Sequence, residues 1–259
     1  MSTNPKRLIV LSGCNGAGKT TAAYALLPDL LNCWEYVNAD EIAKGLSPFR
    51  IEQVALESGR IMLQRIQTLL SQHSSLAIET TLSTKSYKNL FREAQNRGYE
   101  ITLLYFWLNS VNLAKERVRS RVSNGGHHIP DEVIERRYIR GIQNLFNIYL
   151  PIADEVLIFD NSLNEKKPIA KKLHNGTLKI MDEETYSQIL RLMETPTNQT
   201  SEKESNYELK DSDIEEMDDF TARIYKGLDI AYERLTQEAR KNGTTLVVSK
   251  DGEVVHIHP

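Results

Sequence analysis

A glycine-rich loop between a short apolar run and a helix-forming stretch constrains this chain more than any other feature of its sequence. Residues 13–20 read Gly-Cys-Asn-Gly-Ala-Gly-Lys-Thr, the full pattern G-x-x-x-x-G-K-[ST], directly after the apolar run Leu8–Leu11. In such a loop the glycines let backbone N–H groups converge on phosphates, Lys19 reaches the outer phosphate oxygens, and the Thr20 hydroxyl ligates Mg²⁺. The motif predicts a nucleoside triphosphate site. A glycine-rich turn that binds nothing is the alternative, and the neighbouring strand and helix argue against it.

Apolar runs and helical patterns alternate along most of the chain. The runs that predict strands are Leu8–Leu11, Cys33–Ala39, Leu76–Ile78, Ile101–Leu108 and Glu155–Phe159, with helical spacing at residues 51–72 and 85–97 between them. This alternation is typical of a parallel sheet with helices on both faces. The predicted fold class is therefore α/β: a P-loop kinase-like parallel sheet with helices on both faces, plus a small C-terminal helix and β-hairpin module.

Charge divides the chain into three regions. Residues 1–181 carry 23 Lys and Arg against 17 Asp and Glu, residues 182–219 carry 3 against 13, and residues 220–259 carry 6 against 5. A basic body suits anionic substrates, whereas the acidic stretch has the composition of a solvated linker. We therefore divide the chain into a P-loop kinase domain (1–181), an acidic linker (182–218) and a helix plus β-hairpin module (219–259).

The composition indicates a soluble protein of the cytoplasm. Hydrophobic residues make up 40% of the chain and charged residues 26%. No apolar run approaches the ~18 residues of a membrane span, and the first strand follows Met1 closely, so we expect no signal peptide, anchor or membrane partner. Cys14 and Cys33 have such different surroundings that we expect two reduced thiols and no disulfide.

Polar residues follow the predicted strands, at the sheet edge where ligands gather. Asp40, after the second strand, is placed to accept the proton of an attacking hydroxyl, and capping of the next helix explains it equally well. Glu79, after the third strand, is placed to hold Mg²⁺ or substrate hydroxyls through water, with a buried carboxylate satisfied by backbone as the alternative. Residues 160–162, Asp-Asn-Ser, predict a polar turn on the nucleotide-base side, or a turn without further role.

Two arginine-bearing helices around a glycine-rich turn predict a mobile lid. Arg117 and Arg121 lie four residues apart on one helix face, residues 125–130 read Gly-Gly-His-His-Ile-Pro, and a second helix brings Arg137 with two further arginines. Planar guanidinium groups stabilise the charge on a transferring phosphoryl group, which is our hypothesis for this lid. A solvated arginine-rich surface without such a role is the alternative.

Taken together, these motifs resemble the zeta toxin family of P-loop kinases. The likeness runs from residue 7 to about residue 165 and is most specific in the lid and in Glu79–Leu82. The motifs that carry it are Gly13–Thr21, Asn38–Asp40, Glu79–Leu82, Gly98–Tyr99, Arg117–Val118, Arg121–Val122, Gly125–His127, Ile129–Pro130, Arg136–Tyr138 and Asp160–Ser162. The best-known members phosphorylate UDP-N-acetylglucosamine on the 3′-hydroxyl of the amino sugar.

The resemblance assigns roles by position, with ATP and Mg²⁺ as cofactors. The implied nucleotide-binding residues are Gly13, Asn15, Gly16, Ala17, Gly18, Lys19, Thr20 and Thr21. The implied catalytic residues are Asp40 as the base, Lys19, and the clamping arginines Arg117, Arg121 and Arg137. Substrate contacts would come from Asp40, Glu79, Thr81 and Arg137, and metal contacts from Thr20 and Glu79.

The C-terminal module, residues 219–259, has a separate pattern. An amphipathic helix ends at Gly243, and two short apolar runs flank the hairpin turn Asp251-Gly252. Because a helix and a lone hairpin are too small to be stable alone, we expect the module to dock. It is similar to small proteins associated with this kinase branch, which suggests an antitoxin-like partner joined in cis; a packing or dimerisation module is the alternative.

The sequence thus favours an ATP-dependent kinase that acts on a hydroxyl of a phosphate-bearing small molecule. By resemblance this is UDP-N-acetylglucosamine, and the chain is the toxin of a toxin–antitoxin pair with an inhibitory tail in cis. A polynucleotide kinase, another metabolite kinase and a nucleotide-gated binding module stay open as alternatives. No long basic stripe with interleaved aromatic residues is present, so a nucleic-acid partner is not expected.

Overall fold

A mostly parallel sheet forms the centre of the molecule. The computed structural model describes residues 5–163, 167–194 and 219–259. The strands of the sheet are β1 (Lys6–Gly13), β2 (Tyr36–Val37), β3 (Leu76–Thr80), β4 (Tyr99–Trp107), β5 (Glu155–Asp160), β6 (Lys167–Lys172) and β7 (Leu178–Ile180). Their order is β2-β3-β1-β4-β5-β6-β7, and β1 to β5 run parallel.

Helices flank this sheet and connect its strands. They are α1 (Lys19–Leu26), α2 (Ala39–Leu46), α3 (Ala55–Ser71), α4 (Tyr87–Asn96), α5 (Val111–Ser123), α6 (Asp131–Asn144), α7 (Leu150–Ile152), α8 (Glu183–Glu194) and α9 (Asp219–Asn242). A 3₁₀ turn, Ile51–Val54, precedes α3, and a π-helical turn, Leu145–Tyr149, joins α6 to α7. Over the ranges that the structure covers, no helix is both long and apolar enough to cross a bilayer.

The central strands are buried on both faces, which explains their apolar sequences. Leu8 to Leu11 of β1 are at most 1% exposed, and β1 pairs with β3 on one side and β4 on the other. Strands covered by helices on both faces read as continuous apolar runs. The predicted α/β class with a parallel sheet and flanking helices is confirmed.

The far edge of the sheet departs from the predicted all-parallel arrangement. β6 pairs antiparallel with β5, and β7 pairs antiparallel with β6. β6 was not predicted as a strand because lysines interrupt it, although Lys171 is buried and its Nζ lies 3.2 Å from Oε1 of Glu155 on β5. A buried lysine needs such a partner. Because Glu155 is distant from Lys171 in the sequence, this pairing cannot be predicted from the residues of β6 alone.

The first residues of the predicted acidic linker form a helix that packs against α6 and β6 of the kinase body. Residues 183–194 form α8, whose Tyr186 and Ile189 are buried; the Tyr186 ring meets that of Phe146 edge-on at 5.7 Å between centroids. The acidic composition of this stretch concealed an apolar stripe at helical spacing. Residues 195–218 of the predicted linker lie outside the described residues.

The C-terminal module has the predicted helix and hairpin, and it docks on the body. After α9, β8 (Leu246–Lys250) and β9 (Glu253–Ile257) pair antiparallel. Asp251 and Gly252 have φ angles of 52° and 73°, the left-handed pair that a tight two-residue hairpin turn requires. α9 packs along α1, the helix that follows the phosphate loop.

Candidate active site

A cleft of about 1050 Å³ brings together most of the predicted site residues. It opens beyond the carboxyl ends of the parallel strands, where ligands of such sheets bind. Its walls include Asn15, Gly16, Gly18, Lys19, Thr20, Thr21, Asp40, Glu79, Thr81, Arg117, Arg121 and Arg137. Gly13 and Ala17 of the phosphate loop are buried and do not line this cleft. The residues chosen from separate stretches of sequence therefore share one space.

The phosphate loop lies between β1 and α1, as its motif predicts. At Gly13 a Cβ atom would stand 2.2 Å from the backbone oxygen of Phe106, so only glycine fits. Gly18 is the N-cap of α1 and has φ = 79°, a left-handed conformation that glycine adopts without strain. The loop consequently ends at the N-terminus of α1, and backbone N–H groups at such a helix terminus bind phosphates.

Two buried side chains brace the loop. Lys19 Nζ donates a hydrogen bond to the backbone oxygen of Cys14 at 2.8 Å. Asn161 Nδ2 donates to the backbone oxygen of Ala17 at 2.7 Å. Asn161 belongs to the polar turn after β5, so this turn is attached directly to the phosphate loop.

Glu79, near the end of β3, collects hydrogen bonds from three neighbouring side chains. Its Oε2 accepts from Thr20 Oγ1 at 2.8 Å, from Tyr36 Oη at 2.5 Å and from Asn38 Nδ2 at 3.0 Å. Its Oε1 lies 3.7 Å from Lys19 Nζ. Burial and the Glu79 carboxylate raise the pKa of Tyr36, so the phenol keeps its proton and donates. Side chains, and not backbone groups, satisfy Glu79.

Tyr36 and Asn38 are site residues that were not predicted from the sequence. They stand two residues apart, at and just after β2, so their side chains leave the chain on the same side. β2 pairs parallel with β3, with Val37 opposite Ile78, which brings both side chains to Glu79. The alternation at residues 36–38 could have indicated that the two side chains share one side of a strand. Their proximity to Glu79 could not be predicted, because it depends on the pairing of β2 with β3.

The oxygens of Thr20 and Glu79 fit the chemistry of Mg²⁺. A hydroxyl and a carboxylate 2.8 Å apart beside a phosphate loop are hard oxygen ligands of the kind that Mg²⁺ takes together with substrate phosphates. The donor set therefore agrees with the metal that the loop motif implies.

Asp40 lies in the first turn of α2, half-buried on the cleft wall. The N-cap of α2 is Asn38, whose Oδ1 accepts from the backbone N–H of Asp40 at 2.8 Å, so Asp40 is not the cap. Burial lowers the pKa of His127 and of Arg137, and the nearby Asp40 carboxylate acts in the opposite direction on both. Asp40 thus lies close enough to the turn between α5 and α6, and to Arg137 on α6, to act on both electrostatically.

The lid arginines differ in their surroundings. Arg137 on α6 donates from Nη1 to Oδ1 of Asn15 in the phosphate loop at 3.1 Å. Arg121 on α5 lines the same cleft and is exposed. A surface ion pair between Lys115 and Glu135, 2.5 Å apart, joins the two helices. Arg121 and Arg137 therefore both border the cleft that contains the phosphate loop.

Arg117 points to backbone oxygens instead. Its Nε donates to the oxygen of Val247 at 2.7 Å, and its Nη1 and Nη2 donate to the oxygens of Asn161 and Ser162 at 2.8 Å and 3.2 Å. Burial lowers its pKa to about 10, while the nearby Cys14 and Asp160 oppose that effect. Arg117 thus joins the turn after β5 to β8 of the C-terminal module. A phosphoryl-clamping role for it stays a prediction.

The two cysteines give a test of this packing. Both thiols are free and buried, and burial raises the pKa of Cys14 and of Cys33 to about 11. Because the thiolate is the reactive form, a two-unit rise in pKa leaves roughly a hundredth of it. We expect a thiol-specific disulfide reagent at pH 8 to modify both cysteines at least ~10-fold more slowly in the folded chain than in urea. Equal rates in the two states would contradict the burial of the loop.

Comparison with known proteins places the chain in a family. The zeta toxin family model matches residues 2–167. An uncharacterized protein of Haemophilus influenzae is 27% identical over 132 residues, which are 51% of this chain and 92% of that protein.

Solved structures show the same fold at low identity. A crystal structure of AvrRxo1-ORF1:AvrRxo1-ORF2 with sulphate ions has a TM-score of 0.64 and 18% identity, over 89% of this chain and 76% of that chain. A form with ATP gives a TM-score of 0.63 and 17% identity, over 89% and 76% of the two chains. The PezAT toxin–antitoxin system of Streptococcus pneumoniae gives 0.52 and 18%, over 75% and 90%.

The AvrRxo1 likeness extends past the kinase body. Residues 1–218, all that precedes the C-terminal module, are about 84% of the 259-residue chain, so a match over 89% includes part of the module. The family match itself covers well over half of the chain and contains the phosphate loop, Asp40, Glu79 and both lid helices. The chain therefore belongs to the zeta toxin family of P-loop kinases.

Proposed function

We propose that this kinase transfers the γ-phosphoryl group of ATP to the 3′-hydroxyl of the amino sugar of UDP-N-acetylglucosamine, in the cytoplasm, as the toxin of a toxin–antitoxin pair. The observation that carries the proposal is that Asp40 and Arg137 line one cleft together with the phosphate loop, whose Asn15 accepts a hydrogen bond from Arg137. A carboxylate, a guanidinium and a phosphate loop are the parts that phosphoryl transfer to a hydroxyl needs.

The phosphate loop and Lys19 hold the β- and γ-phosphates. Lys19 bends back onto Cys14 O at 2.8 Å and lies 3.7 Å from Glu79, so its ammonium is already positioned over the loop. Thr20 and Glu79 would hold Mg²⁺, which neutralises developing charge on the phosphates when bound. Tyr36 and Asn38 keep the Glu79 carboxylate oriented by donating to its Oε2.

Asp40 acts as the general base. The acceptor hydroxyl oxygen attacks the γ-phosphorus, its proton passes to the Asp40 carboxylate, and the bond from phosphorus to the β,γ-bridging oxygen breaks to release ADP. Arg137 and Arg121 stabilise the charge spread over the equatorial oxygens of the transferring group. Arg137 carries more of this effect because its guanidinium is half-buried and bonded to the phosphate loop.

The rest of the cleft has room and polarity for a phosphate-bearing acceptor. Thr81, Ser83 and Thr84 line it beyond Glu79, and His127 and Arg121 line it on the lid side. Hydroxyl groups suit a sugar, and the guanidinium of Arg121 suits a diphosphate. The toxin–antitoxin context of PezAT and the two-protein AvrRxo1 structure support an antitoxin partner for this chain as well.

The acceptor is identified by a phosphoryl-transfer assay with γ-labelled ATP and Mg²⁺ on the full chain. We expect label on UDP-N-acetylglucosamine and none on an analogue whose 3′-hydroxyl is blocked, because only the free hydroxyl can attack. Other sugars, mononucleotides and a 5′-hydroxyl oligonucleotide complete the panel. Transfer to one of those, and not to the amino sugar nucleotide, would replace the acceptor but keep the kinase. ATP binding without transfer to any acceptor would favour a nucleotide-gated binding module.

A further inference from the structure

We propose that the C-terminal module supplies one wall of the pocket for the nucleotide base, so that module docking and ATP binding strengthen each other. The inference rests on ATP as the phosphoryl donor and not on the identity of the acceptor. The module lies outside residues 2–167, the part of the chain that the family model describes.

α9 is fixed closely against the helix that follows the phosphate loop. At Gly227 a Cβ atom would stand 2.4 Å and 2.6 Å from the side-chain ends of Leu26 and Leu30 of the kinase body. Ile224 and Leu228 on either side of it are at most 1% exposed. Small residues at a crossing point let two helices approach, and larger ones push them apart. The position of α9 is therefore coupled to α1.

A buried charged cluster anchors the N-terminal end of α9. Lys171 Nζ lies 3.2 Å from Glu155 Oε1 and donates to Thr221 Oγ1 at 2.5 Å, and Thr221 Oγ1 donates to the same Glu155 oxygen at 3.2 Å. The guanidinium of Arg7 lies 3.7 Å above the ring of Phe220. Buried charges need their hydrogen-bond partners, so detaching α9 carries a cost that opposes undocking.

The hairpin is fixed at the opposite end, directly beside the nucleotide site. Arg117 links Val247 O to the oxygens of Asn161 and Ser162, and the backbone N–H of Ser249 donates to Ser162 O at 3.0 Å. Asn161 in turn donates to Ala17 O inside the phosphate loop. A continuous path of hydrogen bonds thus runs from the phosphate loop to β8.

The module also supplies most of the apolar residues that line the cleft containing the phosphate loop. The kinase body lines this cleft mainly with polar and charged groups, and its aliphatic lining residues are Ala39, Met62 and Leu163. The module adds Ala231, Leu235, Ala239, Leu246, Val247 and Val248. Leu235 is 37% exposed although α9 is docked, so part of this wall still faces open space. A flat, largely apolar purine or pyrimidine base fits such a wall, whereas a phosphate does not.

The test compares the affinity of the full chain for ATP with its affinity for inorganic triphosphate, measured by calorimetry. We expect Leu235→Asn to weaken ATP binding by about tenfold and to leave triphosphate binding unchanged, because only the base touches this wall. Tenfold corresponds to the loss of roughly 55 Å² of apolar contact. Leu63→Asn is the matched control, since Leu63 on α3 is exposed and does not line the cleft.

A second variant tests the coupling to docking. Gly227→Leu should displace α9 and give the same selective loss, whereas Gly59→Leu should not, because beyond the backbone of its own helix and its chain neighbours nothing lies within 4 Å of the Cβ position at Gly59. Hydrogen exchange at the Ser249 amide should slow with ATP and not with triphosphate.

Three results would overturn the proposal. Variants that bind ATP as the wild type does would show that the module forms no wall. Variants that bind ATP more tightly would show that the module excludes the nucleotide, as an inhibitory tail would. Equal wild-type affinities for ATP and triphosphate would show that no base pocket exists. Absence of transfer to every acceptor, with ATP selectivity intact, would overturn the proposed function alone.

Discussion

Replacing Asp40 with asparagine is expected to lower kcat by about 10²- to 10⁴-fold, the range that a general base contributes. Asparagine keeps the shape of the side chain and the Asn38 cap, which uses the backbone N–H of residue 40. It cannot accept the proton of the attacking hydroxyl. ATP affinity should stay within about twofold of wild type, since the role of Asp40 is confined to the chemical step.

The matched control for this substitution is Glu41→Gln. Glu41 is the neighbouring carboxylate, and its Oε1 lies 2.6 Å from Lys44 Nζ in an exposed pair. Such a pair contributes little to stability, so its loss should leave kcat near the wild-type value. Steady-state kinetics of both variants with the acceptor found in the panel decides between the carboxylates. A larger loss in Glu41→Gln than in Asp40→Asn would move the base by one residue.

Local sequence patterns were sufficient to predict the strands that helices cover on both faces of the sheet. Leu8–Leu11 and Ile101–Leu108 read as continuous apolar runs because no face of β1 or β4 meets water. The hairpin was equally readable, since Asp251-Gly252 is a turn signal that requires no distant partner. What these elements share is that their own residues determine their conformation.

The elements that the sequence analysis missed depend on distant partners. β6 contains lysines, and it becomes a buried strand only because Glu155 and Thr221 pair with Lys171. The four-residue spacing of Arg117 and Arg121 suggested one shared role on one helix face. The structure separates them, because three backbone oxygens from outside α5 lie around the Arg117 guanidinium alone. No pattern within a helix contains that information.

Replacing Arg137 with alanine is expected to lower kcat by about 10³-fold or more, the scale of an arginine that stabilises a transferring phosphoryl group. Its guanidinium is half-buried and donates to Asn15 in the phosphate loop, so its charge acts at short range with little screening by water. Lysine at this position should restore only part of the rate, because an ammonium keeps the charge but lacks the planar fork.

Arg136→Ala is the matched control, because this substitution removes the same charge from an exposed position on the same helix. If Arg136→Ala and Arg137→Ala reduced kcat equally, the lid would act through its overall positive field and no single clamp would exist. Arg121→Ala should give an intermediate loss in kcat, since Arg121 borders the cleft but is more exposed. Arg117→Ala should instead weaken ATP binding, because Arg117 holds β8 beside the nucleotide site. Arg117 and Arg121 lie one turn apart on α5, yet we expect one to affect ATP binding and the other kcat. The reason is that the Arg117 guanidinium binds backbone oxygens beside β8, whereas Arg121 borders the cleft.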